Sequence, residues 1–249
     1  MAALLQAQQR ERGAPPEAVA AAARLRDAQT VAVVTGQQAG LFGGPLFTLL
    51  KAITAIRLAE RVTAEHKVPA VPIFWIDAED HDWDEVKSCG SLDAESNLVH
   101  LSVGNPPGAH EKPVARVMLD DSIEAAVAQL ATTLPPTEFT NSLIDTLRSA
   151  YKPGAGMAQA FGRWMETVLG PRGLVVFDAA DPAAKPLVAG VFAHEIEHAG
   201  ETSRLAQQAG AELQARGYHA QATPQENNVA LFHLNAGREA IRKHQDHFR

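Results

Sequence analysis

The sequence is short of cysteine: Cys89 is the only one among 249 residues. A single thiol excludes a disulfide framework within the chain and a CxxC metal knuckle with it. No motif frames this residue, so we interpret it as structural rather than as a nucleophile. The scarcity of cysteine also fits a reducing compartment.

Long apolar runs and an excess of positive charge are missing as well. No run approaches the roughly 18 to 20 apolar residues of a membrane span, and "MAALLQAQQRERGAPPE" has no signal-peptide pattern. The net charge of -7 does not suggest a nucleic-acid or membrane-surface partner. We therefore predict a cytoplasmic protein without such partners. Hydrophobic residues make up 46% of the chain, enough for the core of one large or two modest domains.

Two apolar runs, "VAVVT" (31–35) and "VPAVPIFWI" (68–76), predict strands that are buried on both faces. Between them, Pro45 lies where a helix would begin, and the helix is predicted to end near Ala64. Strand, helix and strand over this span predict a parallel pair in an α/β domain of doubly wound type. The apolar face of the helix is predicted from residues at helical spacing: Leu46, Leu49, Leu50, Ile53, Ile56 and Leu58.

The rest of the chain predicts an insertion and a return to the sheet. Residues 86–119 are typical of a small antiparallel excursion, with "SNLVHLSV" and "ARVML" as its strands, and three helices follow at 123–134, 139–151 and 156–170. Residues 173–181 predict a third buried strand, 183–215 a long helix, and "GYHAQATPQENNVALFHL" a strand, a turn and a strand. We divide the chain into a helical segment, 1–30, and a core, 31–249, with an inserted segment around 86–170.

A glycine-rich loop, "TGQQAGLFGGPLFTLLK", links the first predicted strand to the first long helix. Backbone N–H groups at this place form an anion site, together with the start of the helix. The spacing matches neither GxGxxG nor GxxxxGK[ST], so the loop is a generic ligand site or a tight structural turn. The candidate binding residues are Gly36, Gln37, Gln38, Gly40, Gly44, Thr48 and Lys51.

An acidic loop, "DAEDHDWDE" (77–85), follows the second predicted strand. Ligands of open α/β sheets bind outside the carboxyl ends of the strands, so this loop and the glycine-rich loop would form the two halves of one cleft. Its candidate catalytic residues are Glu79, Asp80, His81 and Asp82. They could bind an amine, position Mg²⁺ or supply a general base. The alternative interpretation is a solvated acidic loop.

A second hypothesis comes from "HEIEH" (194–198), which matches the HExxH pattern of zinc hydrolases. His194 and His198 would lie one helical turn apart. The known extensions of the motif are missing: Glu212 would lie roughly 20 Å further along the same helix, and Glu226 lies in a predicted loop. We therefore favour an exposed helix face and expect no zinc.

Five stretches of the sequence occur in a characteristic order: "VVTGQQAGLFGGPLFTLLKAI", "VPIFWIDAEDHDWDEV", "KPVARVML", "FGRWMETVLGPRGLVVFDAADP" and "GYHAQATPQENNVALFHLNAGREAI". Together they resemble one family, the cysteine-adding BshC enzymes of bacillithiol biosynthesis, and the resemblance runs from about Val31 to near the end of the chain. Both sets of candidate residues fall within the first two stretches. Ala115 stands where the family usually has glycine.

The resemblance implies a Rossmann-like, nucleotidyl-transferase-type parallel sheet with inserted α+β connecting segments. It implies a carbon–nitrogen ligase that joins L-cysteine to glucosaminyl-malate, with ATP or another nucleotide, and with Mg²⁺, as candidate cofactors. Full-length members of the family would carry a C-terminal coiled coil and could form homodimers. Because members are about twice as long, we expect a truncated chain whose own activity is open. A non-catalytic module that binds a nucleotide or a sugar acid is the alternative.

Overall fold

A computed structural model describes residues 1–221, 224, 228–234, 238–244 and 247–248. The chain divides into two compact units, Met1–Ala184 and Lys185–Arg249. Our boundary near residue 30 and the extent of the inserted segment stay predictions. Among the described residues, no helix combines the length and the apolar composition that a bilayer crossing requires.

The first unit contains seven helices and five strands in the described chain. In order they are α1 (Ala2–Arg12), α2 (Pro16–Arg24), β1 (Val31–Gln38), α3 (Leu46–His66), β2 (Ala70–Asp77), α4 (Trp83–Val86), β3 (Ser88–Leu92), β4 (Leu98–Ser102), α5 (Ser122–Thr133), α6 (Thr140–Ala150), α7 (Met157–Leu169) and β5 (Val175–Asp178). Local signals set several ends. Gly13 ends α1 in the left-handed conformation, Pro45 is the N-cap of α3, and Gly156 is the N-cap of α7.

The sheet of the first unit confirms the predicted α/β class. Its order is β1-β2-β5, and both pairs are parallel. Helices α1 and α2 pack on one face, where Leu5 and Ala22 meet Val71 and Val175. On the other face, α3 and α5–α7 pack on Phe74 and the rest of the larger apolar core. A parallel sheet covered on both faces is the architecture that the βαβ pattern predicted.

The two edges of this sheet differ in how their backbone hydrogen-bonding groups are satisfied. Along the outer side of β5, the side-chain amide of Gln9 accepts from Val176 N (3.0 Å) and donates to Val176 O (2.7 Å). Gln8 does the same with the N–H (3.1 Å) and the carbonyl (3.0 Å) of Asp178. Helix α1 thereby satisfies the edge of β5 with side chains, as a neighbouring strand would with its backbone.

The opposite edge corrects our prediction that β1 is buried on both faces. Val31 and Val34 are 42% and 55% exposed. Strand β1 is an edge strand here, and within the part of the chain that the structure describes no strand pairs with its outer side. Apolar composition predicted the strand correctly, but burial depends on neighbours that a local sequence pattern does not contain.

The apolar face predicted for α3 is also largely wrong. Leu46, Leu50, Ile53 and Leu58 are exposed, whereas Ile56 is buried as predicted. The helix packs instead through small side chains: Thr48, Ala52, Ala55 and Ala59 are buried. Short side chains let the helix lie close to the sheet, so the larger ones face outward.

Between β2 and β5 the chain forms the predicted antiparallel segment; its strand β4 lies within the predicted "SNLVHLSV", whereas its partner is β3 and not "ARVML". Strand β3 pairs with β4 in an antiparallel hairpin. The predicted strand at "ARVML" is wrong: residues Val114–Arg116 form a 3-10 turn. The reason lies in the backbone, because Val114 N donates to Asp80 O (2.8 Å) and Ala115 N to Ala78 O (2.9 Å). These two N–H groups bond to carbonyl oxygens of the acidic loop, so they cannot donate to a neighbouring strand.

The second unit contains α8 (Ala189–Glu197), α9 (Glu201–Ala215), β6 (Asn228–Leu234), β7 (Arg238–His244) and β8 (His247–Phe248), and its strand pairs are antiparallel. The single long helix predicted for 183–215 is wrong: its first residues belong to a 3-10 segment, Pro182–Val188, and the rest forms two helices, with α8 ending at Glu197 and α9 following Gly200 (φ 95°). Residues 218–221 form no strand, so the first strand predicted in "GYHAQATPQENNVALFHL" is not formed there.

Candidate functional site

The carboxyl ends of the three parallel strands meet at one edge of the first unit. Gln38 at the end of β1 is paired in register with Asp77 at the end of β2. Ile76 is paired with Asp178, the last residue of β5. This edge is where an open α/β sheet binds its ligands.

The glycine-rich loop folds back on itself directly after β1. A Cβ on Gly40 would lie 2.6 Å from Gly44 Cα, and a Cβ on Gly36 would lie 2.7 Å from Trp75 O. A 3-10 turn (Leu41–Gly43) follows, and Gly43 has φ 98° with the Trp164 ring against its Cα. The glycines therefore have steric reasons within the protein, independent of any ligand. Their number alone is weaker support for a ligand site than the sequence suggested.

The two consecutive glutamines, Gln37 and Gln38, make different contacts. Gln37 Oε1 accepts a hydrogen bond from Lys51 Nζ (3.0 Å) on the second turn of α3. Gln38 Nε2 donates to Asp80 Oδ2 (2.7 Å) and to Glu85 Oε2 (2.8 Å). Successive residues of a strand point to opposite sides, so β1 connects the helix with the acidic loop. Gln38 thus joins the two loops that the sequence placed in one cleft.

Thr48 lies in the first turn of α3, below the loop. It is fully buried, and its Oγ1 has no hydrogen-bond partner among the described residues. A Cβ on Gly44 would lie 3.6 Å from this oxygen. The N-cap residue of α3 is Pro45, whose side chain cannot accept a hydrogen bond. The first N–H groups of the helix are therefore not capped by a side chain.

The carboxylates of the acidic loop make different contacts. Asp80 is one-quarter exposed; its Oδ1 accepts from His81 N (2.8 Å) and lies 3.5 Å from His81 Nδ1. Asp82 is the N-cap of the short helix α4 and accepts from Glu85 N (3.4 Å), which is a structural use of that carboxylate. Glu79 lies near enough to the end of β5 to influence Asp178 electrostatically.

Three residues at this edge were not among the predicted site residues. A cavity of about 440 Å³ is lined by Gly36, Gln37 and Gln38, and also by Trp75 and Asp77. Asp178 is the third: burial raises its pKa, and the nearby Asp181 and Glu79 carboxylates raise it further. The signal for Trp75 and Asp77 was their place at the end of a predicted strand. Asp178 carried the same signal.

The HExxH segment of the second unit does not form the geometry of a zinc site. Helix α8 ends at Glu197, so His198 lies just beyond it and its Nδ1 is 2.9 Å from His194 O. The two imidazole rings stack with centroids 4.1 Å apart. Glu195 accepts from Thr202 Oγ1 (2.6 Å) and from Ala230 N (2.8 Å). Across the described ranges, no three His, Cys, Asp or Glu side chains come together as a metal site.

The two remaining residues of the zinc hypothesis also lie elsewhere. Glu212 lies on α9, a separate helix from His194, which corrects our placement of both on one helix. Glu226 lies outside the described residues.

The fold and this edge define the class: a Rossmann-like domain with a candidate ligand site at the carboxyl ends of its strands. The whole chain, residues 1–249, matches the family described as "Bacillithiol biosynthesis BshC, N-terminal Rossmann-like domain". The chain belongs to this family, as the five stretches of sequence predicted.

Relatives named "Putative cysteine ligase BshC" agree with this membership. The protein of Salinibacter ruber is 39% identical over 220 residues, which are 87% of this chain and 39% of the relative. The protein of Koribacter versatilis is 37% identical over 237 residues, 95% of this chain and 43% of the relative. The protein of Chlorobaculum tepidum is 35% identical over 213 residues, which are 85% of this chain and 37% of the relative. The chain spans about two-fifths of the length of these relatives.

Proposed function

We propose that this chain is the ligand-binding part of a carbon–nitrogen ligase that adds L-cysteine to the amine of glucosaminyl-malate, the last step of bacillithiol biosynthesis. Family membership and the relatives' names support the reaction class. The observation that carries the site is the Gln38 amide, which joins the glycine-rich loop to the acidic loop beside the cavity. The activity itself belongs to a whole protein of the relatives' length.

The glycine-rich loop would hold the anionic part of a ligand. Helix α3 has 21 residues and no side-chain N-cap, so its first N–H groups and its dipole favour negative charge there. The Thr48 hydroxyl is buried and has no hydrogen-bond partner in the described part of the chain, and Lys51 adds a positive charge near Gln37. The anion would be a phosphate group of ATP, or of another nucleotide, or a carboxylate of the sugar acid.

The acidic side of the edge would receive the amine. Asp77, Glu79, Asp80 and Asp178 give this side negative charge, which favours an ammonium group or a Mg²⁺ ion bound to a nucleotide. Amide formation needs an activated cysteine carboxyl, which a nucleotide would supply. The ammonium must lose one proton before its nitrogen attacks that carboxyl carbon, and the activating phosphate or nucleotide group then leaves as the amide forms and the nitrogen loses a second proton. We assign removal of the first proton to Asp80 with His81, because their carboxylate and imidazole lie 3.5 Å apart.

Calorimetric titration of the purified chain tests the binding half of this proposal. Titrants are ATP with Mg²⁺, L-cysteine and glucosaminyl-malate, one at a time. Gly44→Val, which places a branched side chain at φ 70° in the loop, should abolish binding of the anionic titrants. The control is Gly190→Val, at a glycine with open space around it. If none of the three titrants binds the unchanged chain, the proposal is wrong.

Product formation tests the catalytic half. This chain replaces the matching two-fifths of the Salinibacter ruber relative, and mass spectrometry follows bacillithiol made from the three substrates. Asp80→Asn should lower the rate at least roughly a hundredfold, as expected when a general base is lost. Asp145→Asn, at an exposed surface ion pair, is the control. Binding without product in the unchanged chimera would favour a non-catalytic module that holds a nucleotide or a sugar acid.

A further inference from the structure

Tyr151 contacts the glycine-rich loop from a distant part of the chain. It follows α6, more than 100 residues beyond the loop, and it is 1% exposed. Its hydroxyl donates to Gly40 O (3.1 Å) and accepts from Gly43 N (3.2 Å). Gly43 N also donates to Gly40 O (3.1 Å), so the three groups form a closed triangle of hydrogen bonds.

The turn that Tyr151 contacts has a strained backbone. Phe42 has φ 51°, in the left-handed region that residues with a Cβ rarely occupy, and Gly43 follows with φ 98°. The Phe42 ring packs edge-on against the Tyr151 ring, with centroids 5.4 Å apart and planes at 80°. Such a conformation persists only when its surroundings hold it, and it is typical of functional sites. Tyr151 provides both a polar and an aromatic contact to this turn.

The two hydrogen bonds also decide which backbone groups stay available to a ligand. Gly40 O accepts from two donors, Tyr151 and Gly43, so this carbonyl is occupied within the protein. A free carbonyl oxygen in an anion loop would repel the ligand, because both carry negative charge. Burial raises the pKa of the Tyr151 hydroxyl, so the hydroxyl keeps its proton and remains a donor over the physiological pH range.

We propose that Tyr151 is a positioning residue for the glycine-rich loop: its hydroxyl fixes Gly40 and Gly43, and thereby the turn that leads into α3, whose first N–H groups would bind an anion. This inference rests on the anion-binding role given to the loop under the proposed function. It makes the geometry of the loop depend on the connection between α6 and α7, which lies in the segment inserted between β2 and β5.

Hydrogen exchange of the backbone amides tests the positioning without any ligand. Tyr151→Phe keeps the ring against Phe42 and leaves Gly43 N bonded to Gly40 O, so the variant should fold. Exchange of the Leu41–Gly44 amides should become at least roughly tenfold faster, because the variant loses both hydrogen bonds of the hydroxyl. Tyr218→Phe, at a tyrosine that is 66% exposed, is the matched control and should change nothing in the loop. Unchanged exchange in Tyr151→Phe would overturn the inference.

Binding of inorganic pyrophosphate, measured by calorimetry, tests the consequence. The affinity of Tyr151→Phe should fall roughly three- to tenfold. Ile144→Val, which trims a buried side chain of α6, lowers stability in the same region but should leave the affinity unchanged. Equal pyrophosphate affinity of Tyr151→Phe and the unchanged chain would refute the positioning role. If the unchanged chain binds no pyrophosphate, the anion-binding role fails, while hydrogen exchange still decides whether Tyr151 holds the loop.

Discussion

Raising the pH should destabilise the first unit through one buried carboxyl group, that of Glu166 on α7. This side chain is 1% exposed, and its Oε1 accepts from Arg12 Nε (2.9 Å) and lies 2.7 Å from Arg12 Nη2. Its Oε2 has no hydrogen-bond partner among the described residues. Burial raises the pKa of Glu166 to about 7, and the Arg12 guanidinium only partly offsets this.

The sign and the size of the effect follow from proton binding. In the unfolded chain Glu166 loses its proton near its ordinary pKa of 4.5, whereas the native carboxyl keeps it up to about pH 7. Between these values the native state binds more protons, so the free energy of unfolding falls as the pH rises. At about 1.36 kcal/mol for each pH unit, the difference amounts to roughly 3 kcal/mol.

Urea unfolding followed by tryptophan fluorescence measures this contribution, because all three tryptophans lie in the first unit. Glu166→Gln removes the titration and keeps the size of the side chain. Its free energy of unfolding should gain roughly 3 kcal/mol relative to the unchanged chain between about pH 4 and pH 8. Glu60→Gln, in an exposed pair with Arg57, should show no such trend. A constant or shrinking difference for Glu166→Gln would refute the reasoning.

Three further perturbations test other features. Gly43→Ala should lower the free energy of unfolding by roughly 2 to 4 kcal/mol, since its Cβ would lie 2.4 Å from a tryptophan ring. The control is Gly154→Ala, which has open space around it at φ 77°. In the same urea assay its free energy of unfolding should fall by only about 1 kcal/mol. Gln9→Met leaves the buried Val176 N–H without its acceptor, whereas Val176 O keeps the Arg12 Nη2 donor (2.6 Å), so the free energy of unfolding should fall by roughly 1 to 3 kcal/mol. Gln29→Met, at an exposed position, should leave it almost unchanged. Burial raises the pKa of Cys89 to about 11 in the native chain. Iodoacetamide at about pH 8 should therefore label this thiol at least roughly tenfold faster in urea than in the native chain, and mass spectrometry measures the labelling.

The sequence predicted those parts of the fold whose signals are local. The strands β1, β2 and β5 each contain an apolar run, and Pro45 marks the start of α3, so elements and class followed from composition and spacing. The exposure of Val34 and the alanine face of α3 could not follow, because both depend on which elements pack nearby. The break after Glu197 was missed because the helical pattern of the sequence continues across it, although Gly200 adopts the left-handed conformation before α9 begins.

The candidate site shows the same limit. The Brändén rule predicted that the glycine-rich loop and the acidic loop would lie at one edge, because it depends only on strand order and direction. The hydrogen bond from Gln38 to Asp80 joins these two loops. It did not predict Tyr151, whose contact with Gly40 spans 111 positions of the chain and has no local sequence signal. Among the predicted catalytic residues, Asp82 could not be distinguished from Asp80 by type, and only the cap hydrogen bond to Glu85 N separates their uses.

The glutamine amides along β5 determine at which edge the sheet can gain a further strand. Because Gln8 and Gln9 occupy the backbone groups of β5, a strand cannot add there without displacing α1. Within the part of the chain that the structure describes, no strand pairs with the outer side of β1, and open strand edges are the ones that accept new partners. Any strand that widens this sheet, from whichever polypeptide, would therefore add beside β1. It would end next to Gly36–Gln38, so widening the sheet would also rebuild the wall of the cavity.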